Sequence, residues 1–248
     1  MGHEVLIRRI ATYMENKNYK FGFTLAEVLI TLGVIGVVSA MTIPTLVQSY
    51  RNHVVETRLK KVYSVMNQAI QRAEADYGAK ELWDYGSVDL FEKYFAPYIK
   101  VLKIETQRIG STKYRKIYFT DGSLLVNKNI MISKDEEGNE IESVDAGQQA
   151  DYFFFPNAKN FNEEKFTDRS DSGISFFYFR FAPYTDAYYH KNKGFQPYAI
   201  DLHESLDNLT ENDANHSCNK ESRYHGYCAF YIMQNGWKIP KDYPFKVK

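Results

Sequence analysis

Several side chains have types and spacings that could do chemistry. The first is Glu27, the one charged residue in the stretch 23–50. A carboxylate among apolar residues is costly unless it is paired or lies near an interface. Glu27 therefore calls either for a cationic partner or for a helix N-terminus, where Thr24 would cap and the macrodipole would favour an acid. The second is the pair Cys218 and Cys228, with His216 and His225 close by. These residues allow a disulfide or a His-x-Cys…His-x-x-Cys metal site. The spacing is not that of a common zinc module, which favours the disulfide. The third is Asp135, Glu137 and Gly138 within the polar stretch 133–140. They hint at calcium, but the D-x-[DN]-x-[DN]-G pattern is missing and a solvated turn is expected. His190, Asp201 and His203 are scattered at no characteristic catalytic spacing. Nucleotide loops, G-x-S-x-G elbows and H-E-x-x-H helices are absent from the sequence. No enzymatic activity, cofactor or metal is expected.

The elements that must position these residues begin with the N-terminal apolar run. Val28 to Val47 are 20 residues without a charge. As a helix rising about 1.5 Å per residue they would span roughly 30 Å, the hydrocarbon thickness of a bilayer. Apolar residues cover every face, which disfavours a buried core helix. The run is long for a secretory signal peptide and lacks a small-x-small cleavage site followed by a change of pattern. Instead the helical period continues. Val55, Leu59, Val62, Met66, Ile70, Ala73 and Tyr77 recur at spacings of three and four, with Arg58, Lys61, Gln68 and Arg72 on other faces. One helix is expected from about Thr24 to Tyr77, stopped at Gly78. Its first half suits a membrane, about residues 25–47, and its second half packs one face on a globular domain. Gly33 and Gly36 weaken it, and Pro44 predicts a kink or local melting.

The residues Lys20-Phe21-Gly22, then Phe23-Thr24-Leu25-Ala26-Glu27-Val28-Leu29-Ile30, resemble the type IV pilins and type II secretion pseudopilins. In that family a positive leader ends in Gly, and Phe starts an apolar helix with Glu at its fifth position. The resemblance covers about residues 20–77. It implies cleavage by a prepilin peptidase between Gly22 and Phe23, and N-methylation of Phe23 by the same enzyme. It also implies a bacterial inner-membrane location with one span, an extracytoplasmic head, and later incorporation into a filament with other pilin or pseudopilin subunits. Glu27 would pair with the Phe23 ammonium of a neighbouring subunit. Gly36 and Pro44 would bracket a helix segment able to melt. The leader is residues 1–22, or nine residues if synthesis starts at Met14; the mature protein is the same. With the head outside the cytoplasm a disulfide between Cys218 and Cys228 can persist.

Residues 78–248 are expected to form an α+β head: the long helix packed on an antiparallel sheet, as in pilins. Residues 81–104 suggest a short helix and turn, and 115–132 a hairpin turning at Asp121-Gly122. Residues 174–181 (ISFFYFRF) suit a central strand, and 227–233 (YCAFYIM) a further strand before the turn Asn235-Gly236. The polar stretches 156–173 and 203–222 are expected to be loops. Aromatic residues make up 16% of the chain and suit sheet faces and a core.

Charge supports the same division. Lys and Arg total 31, as do Asp and Glu, but the zero is a sum over unlike parts. Residues 1–22 carry +2 and residues 51–80 carry +3, which leaves −4 for residues 81–248. An acidic head gives no help to nucleic-acid binding, so the expected partners are the peptidase, sister subunits and membrane lipid. The competing expectation is an envelope enzyme or binding protein that uses the helix only as an anchor.

Overall fold

The computed structural model describes residues 22–199 and 216–248. The chain divides into two compact units, Met1–Leu46 and Val47–Lys248. One helix, α1, runs unbroken from Leu25 to Tyr77. It ends where sequence places its stop: Gly78 has φ +80° and its N–H bonds the Glu74 carbonyl at 3.0 Å.

Among the described residues the Val47–Lys248 unit is built on seven antiparallel strands. They are β1 (Val101–Ile109), β2 (Thr112–Phe119), β3 (Leu124–Lys134), β4 (Glu140–Ser143), β5 (Asp151–Phe155), β6 (Phe177–Arg180) and β7 (Gln196–Pro197). The order is β1-β2-β3-β5-β6-β7, with β4 paired to the far end of β3. The short helices are α2 (Leu90–Tyr94), α3 (Ala146–Gln149), α4 (Glu163–Asp168) and α5 (Cys228–Gln234). This is the α+β, pilin-like arrangement of a long helix on an antiparallel sheet.

Period-two alternation splits the sheet into two buried faces. Leu125, Tyr152, Phe154, Phe177 and Phe179 face α1, which supplies Val55, Leu59, Val62, Met66, Ile70 and Ala73. Leu124, Val126, Phe153, Phe155 and Tyr178 point the other way, under Phe166 of α4. The helical stripe read from sequence is buried except at Tyr77, which is 47% exposed and packs edge-on against Tyr94. Tyr77 is the last helical residue.

Polar groups fix the register of helix on sheet. Arg58 donates to the carbonyls of Pro156 and Asp121, and Lys61 pairs with the Asp121 carboxylate at 2.7 Å. Both bonds to Asp121 hold the β2–β3 turn, where Gly122 adopts φ +80°. Asn67 accepts from Phe195 N at 3.0 Å and donates to Phe195 O at 2.8 Å. A Cβ on Gly194 would lie 2.1 Å from the Asn67 oxygen, so only glycine permits this approach.

Four expectations are corrected. Residues 227–233 are not a strand but contribute to helix α5, with Tyr231 N bonded to Tyr227 O at 2.8 Å. An apolar run buried on every side carries no period to separate helix from strand. The stretch 156–173 is not all loop, because it holds α4. Its N-cap Asn162 accepts from Lys165 N at 2.9 Å. The strand expected over 174–181 is only Phe177–Arg180, because Gly173 at φ +73° turns the chain just before it. It is an internal strand, paired with β5 on one side and with the two-residue edge strand β7 on the other, and all four of its residues are buried. Within 81–104 the helix and turn are present, but β1 already begins at Val101. Residues 203–215 of the last expected loop, with Asp201 and His203, lie outside the described residues.

Candidate functional site

The site is the start of helix α1. Gly22, Phe23 and Thr24 precede the helix, and Phe23 is 87% exposed. Thr24 and Glu27 form a reciprocal cap. The Glu27 N–H donates to Thr24 Oγ1 at 3.2 Å, and the Thr24 N–H donates back to Glu27 Oε2 at 2.9 Å. The Thr24 hydroxyl donates to the same oxygen at 2.9 Å. This is the Thr-x-x-Glu capping box, which satisfies two backbone donors that a helix start leaves open. Glu27 is thus held by local chemistry with one carboxylate oxygen committed. Its other oxygen, Oε1, has no hydrogen bond among the described residues, so a second donor can reach it.

Beyond the cap the helix presents apolar groups on all sides. Leu29, Ile30, Leu32, Ile35 and Val38 are each more than half exposed. Among the described residues α1 is the helix long and apolar enough to cross a membrane, and none of its most apolar window is buried. No melting is present at Gly33, Gly36 or Pro44. Proline removes one backbone donor, and nearby hydroxyls bond to carbonyls of the same turns. Thr42 Oγ1 donates to Val38 O at 3.0 Å and Thr45 Oγ1 to Thr42 O at 2.8 Å.

The other candidates separate. Cys218 and Cys228 are joined in a disulfide, buried at the start of α5. His225 Nδ1 lies 3.2 Å from Ser172 O. No group of three or more metal-ligating side chains occurs among the described residues. Asp135 turns its own loop, accepting from the N–H groups of Glu137 and Asn139 at 3.0 and 2.8 Å. His190 is fully buried and accepts from Ala199 N at 3.2 Å. Burial holds its imidazole down to about 3, with Arg180 and Lys193 adding to the effect.

Two charge clusters built around buried arginines escaped sequence reasoning. Arg115 is 2% exposed and forks onto Glu92 through two bonds of 2.7 Å, with a third at 3.1 Å to Asn127. Arg180 pairs with Asp151. Their partners lie 23 and 29 residues away in sequence, so no local spacing reveals them.

Comparison with known families matches the two parts of the chain separately. Residues 17–43 match the prokaryotic N-terminal methylation motif. Residues 45–247 match a family of unknown function, DUF6613. The chain belongs to the DUF6613 family. No curated protein and no solved structure matches it. The DUF6613 match starts inside helix α1, one residue past Pro44, where the methylation motif has just ended. The motif and the apolar helix make this DUF6613 chain a pilin-type precursor. Precursors with this motif are of the kind prepilin peptidase processes, and among the described residues one helix is long and apolar enough to serve as a membrane anchor.

Proposed function

We propose that this protein is a structural subunit of a pilus or secretion pseudopilus. Prepilin peptidase cuts between Gly22 and Phe23 and the new Phe23 amino group is methylated. The leader is residues 1–22, and about 25–47 span the inner membrane. The sheet domain stands outside the cytoplasm, where the Cys218–Cys228 bridge persists. The observation that carries this reading is Gly22-Phe23-x-x-x-Glu27 at the mouth of an apolar helix whose most apolar window is unburied among the described residues.

The physical roles follow. Gly22 lets a peptidase approach the scissile backbone without a side chain in the way. Cleavage creates a cation at Phe23. In a filament core the Oε1 face of Glu27 accepts that ammonium from a neighbouring subunit, while Thr24 keeps the carboxylate in place. The bare apolar faces supply the burial, and the ion pair favours one axial stagger. Glu27→Ala is expected to be cleaved nearly as well as wild type yet fail to enter sheared or membrane-extracted filaments. Normal incorporation of that variant would overturn the role of Glu27.

A further inference from the structure

The sheet face away from α1 carries a cavity of about 420 Å³ that the filament reading does not use. Its floor comes from the outward-pointing residues Lys128, Asp151, Phe153 and Tyr178, and its walls include Arg169, Arg223 and Tyr224. The volume falls within the range of small-ligand pockets.

The cations of this cavity are placed in an unusual way. Arg169 lies over three aromatic rings, with its guanidinium carbon 4.2 Å from the Phe153 centroid, 4.7 Å from Phe166 and 5.7 Å from Tyr178. One of its nitrogens donates to Phe166 O at 3.1 Å. Stacking fixes the plane, and among the described residues no other hydrogen bond engages the fork. Its backbone has φ +67°, at the left-handed C-cap of α4 where glycine would be relaxed. An arginine at that position accepts backbone strain to keep the guanidinium there. Arg223 lies 4.9 Å over the Tyr224 ring, in the loop closed by the disulfide. Lys128 has one hydrogen bond among the described residues, a long one of 3.4 Å to Gln148 Oε1.

Carboxylates do not match this charge. Asp151 is committed to Arg180. Asp168 also lines the cavity and accepts from Ser170 N at 2.8 Å, so the lining charges Lys128, Arg169 and Arg223 against Asp151 and Asp168 leave a net of +1. Burial pushes the Lys128 ammonium below its ordinary value. Asp151 offsets this in part, and the Arg169 charge adds to it. An anion in the cavity would match this net positive charge and favour the charged form of Lys128.

We propose that the cavity binds a small ligand bearing a phosphate or carboxylate on a ring-sized body, with Arg169 and Arg223 gripping the oxyanion above Lys128. Guanidinium forks suit both oxyanions. The volume left beyond the oxyanion is bounded by the aromatic rings, which suit a flat or sugar-like body.

The test uses the full chain in a neutral detergent, titrated calorimetrically with glucose 6-phosphate, glucuronate, inorganic phosphate and glucose. Glucose 6-phosphate or glucuronate is expected to bind saturably and at least about tenfold more tightly than glucose. Whichever of the two is tighter identifies the oxyanion. Arg169→Gln and, separately, the exposed Arg223→Gln are each expected to weaken that binding about tenfold or more, and Arg223→Lys to restore part of it. Thermal unfolding of Arg223→Gln should stay at the wild-type midpoint. Equal binding of glucose and the charged sugars would overturn the proposal. So would the absence of saturable binding by any probe, or affinities unchanged in a folded Arg223→Gln.

Discussion

Helix α1 treats its apolar side chains in two different ways along one continuous backbone. From Leu25 to Val47 apolar residues surround the axis and stay exposed, Leu29 at 60% for example. From Val55 to Ala73 apolar residues form a stripe, and that stripe is 0–4% exposed against the sheet. Among the described residues the first segment's most apolar window is unburied, which suits lipid or other helices as its cover. The second has its partner within the Val47–Lys248 unit. A helix can therefore advertise an assembly role over one stretch and a folding role over the next. What separates them in sequence is the angular spread of the apolar residues rather than their number.

The largest effects should fall on the stripe alone. Met66→Ala empties a fully buried position, which costs about 2–5 kcal/mol of stability, read as a lowered thermal midpoint of the solubilised protein. Leu29→Ala deletes a similar side chain in the other segment and should leave that midpoint unchanged. Equal shifts would erase the distinction.

Next comes acid sensitivity of the sheet domain. His190 has a folded value of about 3 against an ordinary 6.5, because burial disfavours its charge. The unfolded chain therefore takes up a proton that the folded chain refuses. Stability from this group is complete above pH 6.5 and falls as pH drops toward 3, by on the order of a few kcal/mol in all. His190→Gln, which keeps an acceptor for Ala199 N, should flatten the stability–pH slope between these limits. A slope identical to wild type would contradict it.

Reduction of Cys218–Cys228 should act more weakly. The bridge closes a loop with a sequence separation of 10, worth about 2–3 kcal/mol in the chain-entropy model. Denaturant midpoints with and without reductant would measure this, and membrane retention should not change.

The same contrast explains how much was legible in the sequence. The Val55–Ala73 stripe shows a clean period, and Gly22-Phe23-x-x-x-Glu27 is a local motif, so both were readable. The β2–β3 hairpin announced itself through Asp121-Gly122. Helix α5 did not, because Cys228, Ala229, Phe230 and Ile232 are all buried and hide the period. Strand β1 is an edge strand, mostly exposed, and its polar sequence carries no apolar alternation. β5 is short and aromatic on both faces because both faces are covered. The cavity draws Lys128, Asp151, Arg169 and Arg223 from four separate segments, so only the fold brings them together.

The central claim is that this chain is matured at a pilin-type junction and not merely anchored by its helix. The most direct test is mass spectrometry of the N-terminus of the protein isolated from its native membrane. The account predicts a chain that begins at N-methylated Phe23 and has lost residues 1–22. A chain that retains its leader, or is cut at another bond, would contradict it.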